Sequence, residues 1–542
     1  MSGSQTTSQV SSPKDAANQA FSNYTVEPTS LVEYSSGGRL LIIGSEEEIT
    51  CVWNRIPETV TCSALLIGKK SHRFKEPCII VENLAEIRIE GFLGAFTVIL
   101  GGNETGQATP IRKPENYAFD LILDLVDPPL IDASLPPPGY YAPREERKVL
   151  TAHLATLSEM VGDFDKPKFF QHLPDVCAHS RSGILGCDLC IKICAPQAIT
   201  SNQSQIHINP HLCQGCGDCT SACPAGAVNY LYPSRTDTFN RIRLMVNAYF
   251  EHGGDKPVLI FHEVDATDNW LQENQTGLPA NLLTYELEAL GSIGMDIWLA
   301  TMALGVERIV VLESENIATE TQSNLCRQMQ FAREILAGIS IEPSRLTQSD
   351  SEHFDPNEVS QITHSLLSKR QRAHFAGIED KRRLIQMAVE ALQHTATDPP
   401  DWIPLSQAAP FGEILVNQDS CTLCMACVQI CPEGALVDNQ EQPQLKLIET
   451  NCVQCGLCRE ACPEEAITLS PRYLLDQNVA RRPKVLHEEK AFACIGCGKP
   501  FASESMILAI TERLKSHPMY QGNKLNQLKL CEDCRIKTVF DV

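Results

Sequence analysis

Two stretches, Cys421–Pro432 (CTLCMACVQICP) and Cys452–Pro463 (CVQCGLCREACP), decide how this chain is read. Each is the run C-x2-C-x2-C-x3-C-P. Three thiolates on one tight loop reach three iron corners of one cubane, and a fourth on the same loop cannot close it. The fourth cysteine of each run opens a helix and crosses to the other cluster. On that logic Cys421, Cys424, Cys427 and Cys462 hold one 4Fe–4S cluster, and Cys452, Cys455, Cys458 and Cys431 hold its neighbour. Pro432 and Pro463 turn the chain after each crossing cysteine. Two zinc sites would instead want paired C-x2-C knuckles.

Upstream, CQGCGDCTSACPAGAV (213–228) repeats the device, but its partner reads CDLCIKICAPQAI (187–199), with Ile184 where a leading cysteine is expected. Isoleucine cannot ligate iron. Cys177 is the nearest replacement, separated from Cys187 by the loop AHSRSGILG (178–186), which is expected to leave that cluster more exposed. The reading is Cys177, Cys187, Cys190 and Cys223 on one cluster, and Cys213, Cys216, Cys219 and Cys194 on the other. The competing reading keeps Cys177 as a core thiol and leaves that cluster three-iron or absent. Both modules resemble the bacterial 4Fe–4S dicluster ferredoxin domain.

A third cysteine group, CIGCGKPF (494–501) and CEDC (531–534), has two knuckles joined by a predicted helix over 503–517. Cys494, Cys497, Cys531 and Cys534 read as a closed, redox-silent zinc site of zinc-ribbon or treble-clef type. A rubredoxin-like iron or a fifth cluster is the alternative. Of the 24 cysteines, only Cys51, Cys62, Cys78 and Cys326 lie outside these groups. The first three sit in or beside apolar runs and read as buried thiols.

The chain has 542 residues, with 45 Lys plus Arg against 67 Asp plus Glu and a formal charge of -22. That balance repels phosphate backbones and anionic lipid, so nucleic acid is not expected as a partner. No apolar run reaches the length of a membrane-spanning helix, and the first 38 residues carry one basic residue, Lys14, so no membrane insertion, no export signal and a cytoplasmic location are expected.

The expected architecture is multidomain α+β. Residues 1–28 form a disordered tail and 29–145 a β-rich domain, with strands at 39–44, 49–54, 63–68, 78–83, 86–91, 96–102 and 119–125. Residues 146–176 are a linker, continuing the proline-stiffened 127–143. Ferredoxin modules follow at 177–235 and 413–472, with a small α/β domain over 236–400 between them and a zinc-binding-like unit over 485–542. Within the α/β domain, 256–264 and 308–314 read as strands, while 282–305 and 321–338 read as helices. Lys369, Arg370, Arg372, Lys381, Arg382 and Arg383 read as a solvated basic helix face. The pair His262–Glu263 is assigned no role.

GMDIWLATMALGVERIVVL (294–312) resembles the delta subunit of methyl-viologen-reducing hydrogenase. That family carries a 2Fe–2S cluster on several cysteines, and only Cys326 remains here, which implies a docking or spacer domain. The whole arrangement is similar to a group of bacterial cytoplasmic iron–sulfur proteins associated with formate dehydrogenase systems. The resemblance implies formate dehydrogenase as the partner enzyme. No dinucleotide fingerprint, P-loop, nucleophile elbow or zinc-protease pair is present. The expected function is therefore non-catalytic electron transfer through four 4Fe–4S clusters with one zinc. An accessory or maturation protein, and an oxidoreductase subunit with a hidden flavin, are the alternatives.

Overall fold

The computed structural model describes residues 12–68, 74–101, 115–143, 147–263, 277–314, 317–350, 353–367, 371–376, 378–394, 399–439, 442–520 and 524–540. It is a mixed α/β structure. The N-terminal region is built on a five-stranded, all-parallel sheet in the order Cys78–Val81, Thr61–Ile67, Arg39–Gly44, Leu121–Asp124, Tyr140–Tyr141. A three-stranded antiparallel sheet packs beside it, Ile87–Glu90, Phe96–Leu100, Glu115–Phe119. The central strand is buried on both faces, with Leu40, Leu41, Ile42 and Ile43 inaccessible, as expected for a parallel strand covered on each side.

Several sequence expectations are corrected here. Residues 49–54 are not a strand; they lie in or at the end of the helix Glu46–Trp53, started by a capping box in which Ser45 and Glu48 satisfy each other's backbone amides. Cys51 is consequently exposed on that helix, while Cys62 and Cys78 are half-buried. The expected tail contains the helix Pro13–Ser22, packed on Arg235–Glu251 through the fully buried Ala17 and an Arg241 guanidinium stacked on Phe21 at 3.6 Å. The expected linker also carries structure. It holds the helix Arg147–Thr156, a strand Gly162–Pro167 pairing with Leu31–Ser36, and Phe170–His172 pairing with Val228–Tyr230. The segment before the first ferredoxin-type module is thus tied by main-chain ladders to the strand Leu31–Ser36 on one side and to the module's Val228–Tyr230 on the other.

The central domain is a four-stranded parallel sheet in the order Leu282–Leu287, Val258–Glu263, Arg308–Glu313, Leu346–Asp350. The stretch 282–305, read as helical throughout, splits into the first of these strands and the helix Met295–Ala303. LLTYEL carries the strand's alternation, with Leu283, Tyr285 and Leu287 buried in the main core. The helices Thr319–Gly338 and Lys381–Gln393 complete the layer.

The basic helix face is also corrected. Lys369 and Arg370 lie outside the described residues. Arg372 stacks on Phe250 at 3.4 Å, and Lys381 and Arg382 are 4% and 8% exposed. Among the described residues, no helix is long and apolar enough to cross a membrane.

Candidate functional site

The cysteine loops share one local geometry. After Cys213, Cys421 and Cys452, the second and fourth residues all take left-handed backbone: Gly215 and Gly217, Leu423 and Met425, Gln454 and Gly456. Two reversals of hand in five residues curl the loop so that successive thiols face a common centre. The cost of left-handed Leu423 and Met425 is held by the surrounding fold.

The crossing cysteines are equally regular. Cys194, Cys223, Cys431 and Cys462 each accept a hydrogen bond at Sγ from the amide four residues on, Ala198, Ala227, Ala435 and Ala466, at 3.2, 3.2, 3.2 and 3.3 Å. The residue before each donor, Gln197, Gly226, Gly434 and Glu465, is left-handed, which aims the amide at the sulfur. Such bonds stabilise thiolate charge and tune a cluster held by it.

Within each module the thiols lie close enough to influence one another's charge, and some do so across the predicted sets, Cys187 with Cys455 among them. Cys190 is in electrostatic contact with Cys223, Cys187 and Cys177. Cys219 feels Cys216, Cys213, Cys194 and Cys190. Cys427 feels Cys424, Cys421 and Cys462, and Cys458 feels Cys452, Cys455, Cys427 and Cys431. Burial pushes most of these thiols up, Cys187 and Cys427 to about 12. Burial thus favours the neutral thiols, and a cationic core such as iron would favour the thiolates.

The irregular loop does not open its site to solvent. Residues Ser180–Arg181 and Ile184–Leu185 form a tight hairpin through Ser182 and Gly183, both at positive φ. Buried His179 ties it down. Its Nδ1–H donates to the Cys187 carbonyl at 2.9 Å, leaving Nε2 to accept from Ser201 Oγ at 2.7 Å. The hairpin reaches the other module: Ile184 packs into the core around Cys427, Cys452 and Leu457, and Arg181 donates to the Cys431 carbonyl at 3.2 Å.

The loop Cys216–Cys219 docks on the carboxyl edge of the central parallel sheet, where α/β folds commonly bind ligands. Asp218 is buried and accepts from Thr321 Oγ1 at 2.5 Å and Asn324 Nδ2 at 3.0 Å, just inside the helix that follows Arg308–Glu313. Ser221 Oγ donates to the Gly291 carbonyl at 2.6 Å. A Cβ at Gly291 would lie 2.4 Å from the Cys216 carbonyl, so no other residue fits there. On the opposite side Lys166 donates to the carbonyls of His211 and Cys213 at 2.9 and 2.6 Å. His262 and Glu263 hold structure, Glu263 accepting from the Leu290 amide at 2.8 Å. Cys326 is exposed, away from these groups. At the far end of the second module Cys424 is exposed, beside a cleft of about 310 Å³ shared with Met425, Phe501 and Met506.

The tail set is tighter. The ligand atoms of Cys494, Cys497, Cys531 and Cys534 all lie within 4.8 Å of one another, with Cys497 and Cys531 sulfurs at 3.6 Å. Four sulfurs about 2.3 Å from one ion sit roughly 3.8 Å apart, so the set fits a single tetrahedral ion. Burial opposes ionisation of Cys494, but amides from Cys531 and Gly496 at 3.2 and 3.4 Å outweigh it and hold the thiol down, at about 6. The helix expected between the knuckles is Glu504–Leu514.

Residues that sequence reading missed are Asp218 and Lys166, each a lone polar residue whose partners are main-chain atoms or a distant helix. Nothing local marks them.

Comparison with known proteins finds iron–sulfur families in both ferredoxin-type regions. Residues 420–467 match the 4Fe-4S dicluster domain family, and residues 205–228 match a 4Fe-4S binding domain. A 58-residue stretch is 34% identical to an uncharacterized ferredoxin of Methanocaldococcus jannaschii, covering 11% of this chain and 32% of that protein. The chain thus contains two ferredoxin-type 4Fe–4S regions, a content that points to electron transfer.

Proposed function

We propose that this chain is an electron-transfer protein that carries four 4Fe–4S clusters and relays single electrons to or from a redox enzyme, with formate dehydrogenase as the partner. The ligand sets are Cys177, Cys187, Cys190 and Cys223; Cys213, Cys216, Cys219 and Cys194; Cys452, Cys455, Cys458 and Cys431; and Cys421, Cys424, Cys427 and Cys462. One observation supports the reading: the four crossing cysteines, Cys194, Cys223, Cys431 and Cys462, each accept an aimed backbone amide at sulfur. The clusters, when bound, supply one-electron redox chemistry. The chain's own residues pin the thiolates, exclude water and donate hydrogen bonds to sulfur. The tail binds zinc and is structural.

Anaerobically purified protein is expected to contain about 16 irons and one zinc per chain, and to bleach with dithionite. Purified formate dehydrogenase with formate is expected to reduce it rapidly and reversibly. Colourless protein, or a yellow cofactor bound in place of iron, overturns the reading. Clusters that stay oxidised, in a protein whose deletion blocks maturation of the enzyme, would instead make it an accessory factor.

The tail separates cleanly from the wire in this reading. Cys494→Ala is expected to unfold the tail, seen as lost zinc and early proteolysis after residue 490, while cluster reduction changes little.

A further inference from the structure

Among the described residues the two modules meet at the hairpin before Cys187. Gly186 precedes Cys187, and a Cβ there would fall 2.6 Å from Leu457 Cγ, between Cys455 and Cys458. Arg181 reaches the Cys431 carbonyl from the same hairpin. The set Cys177/Cys187/Cys190/Cys223 therefore faces the set Cys431/Cys452/Cys455/Cys458. The remaining two sets lie outward, one under the central sheet and one at exposed Cys424.

Two consecutive residues at the start of the helix Lys381–Gln393 span this junction. Lys381 Nζ donates to the carbonyls of Thr220 and Cys223, each at 3.1 Å, and to that of Ser221. Arg382 donates to the carbonyls of Thr450 and Cys452, each at 3.0 Å, and to that of Pro410 at 2.7 Å, with its guanidinium 4.5 Å from the centre of the Phe411 ring. Both side chains are buried, and these hydrogen-bond acceptors are neutral carbonyls rather than carboxylates. A buried cation is costly unless a nearby anion compensates it. Near Lys381 the anions are Asp296, already paired with Arg235 at 3.0 Å, and the Cys223 thiolate; near Arg382 they are the Cys452 thiolate and the Glu433 and Asp380 carboxylates.

We propose that electrons cross between the modules at this junction, and that Lys381 and Arg382 are positioning residues that fix its geometry and supply the positive charge for its two facing clusters, one each. This rests on the four-cluster reading above. Positive charge beside a cluster favours the reduced, more negative state, so each cation raises the potential of its own cluster. Consecutive placement on one rigid helix keeps the two effects matched, which suits reversible passage.

The test is an anaerobic redox titration of the full chain, followed by electron paramagnetic resonance, on Lys381→Gln and Arg382→Gln. Glutamine keeps amide donors for the carbonyls and drops the charge. Each variant is expected to keep its iron while one cluster, different in the two cases, becomes harder to reduce. Its reduced-to-oxidised ratio at fixed potential should fall about tenfold, equivalent to ~59 mV for one electron. Lys381→Arg and Arg382→Lys should restore the native potentials. Intact clusters with unmoved potentials, or the same cluster shifted by both changes, overturn the proposal. So does loss of iron from every neutral variant with native potentials in the charge-retaining ones, since that makes the pair structural only. A native protein without four clusters would instead refute the underlying reading.

Discussion

Replacing Cys177 by alanine is expected to lower iron content by about one to four atoms and to remove one reduced-state spectroscopic species, leaving three clusters. The expectation rests on placement. Cys177 is half-buried, packs in the small core with Cys190, Cys194 and Cys223, and is an electrostatic neighbour of Cys187 and Cys190. Its loop is fastened on both sides: the Cys177 amide donates to Pro174 and the Cys187 amide to Ala178, at 3.1 and 2.9 Å. A core thiol would tolerate alanine with a small packing loss. Unchanged iron and an unchanged reduced spectrum would therefore remove Cys177 from the ligand set. Cys326→Ala is the matched control, because that thiol is exposed and its recorded partner is Gln348, at 3.7 Å.

How far the sequence could be read depended on whether its signals were local. The cysteine triplets mark their loops by spacing alone, so the two ferredoxin-type regions are legible in the sequence. Helix Glu46–Trp53 was legible too, since Ser45 and Glu48 are a capping box, but the β-branched run after them looked like a strand. The helix Pro13–Ser22 was hidden by its polar composition. Its stability comes from Ala17 and Phe21 docking on residues more than two hundred positions away, which no window can see. Lys381 and Arg382 show the same limit in electrostatics. Their charges read as surface because Lys and Arg are seldom buried without partners, and here the partners are carbonyls of two other domains.

The 178–186 loop carries the second large effect. Gly186→Val is expected to destabilise the first module by about 1–3 kcal/mol and to slow electron passage between the modules at least tenfold. A Cβ at this position would lie 2.6 Å from Leu457 Cγ and 2.7 Å from the Ala178 carbonyl oxygen. The leucine can rotate away, but the carbonyl already accepts from the Cys187 amide and is one residue from Cys177, so relief must come from the backbone that holds the thiols. Ile184→Ala separates the two consequences. It removes apolar contact with the second module's core while leaving the 177–187 backbone alone, so iron should be retained and inter-module transfer should still weaken. Stopped-flow reduction resolves both, because a broken junction turns one reduction phase into two, with half the clusters lagging. A Gly186→Val protein that melts like the native one and reduces in a single phase would show that the hairpin does not bear on Leu457. Where the regular motif would place a cysteine the chain has Ile184, and this residue, with Arg181 and Gly186 of the same hairpin, is where one module touches the next.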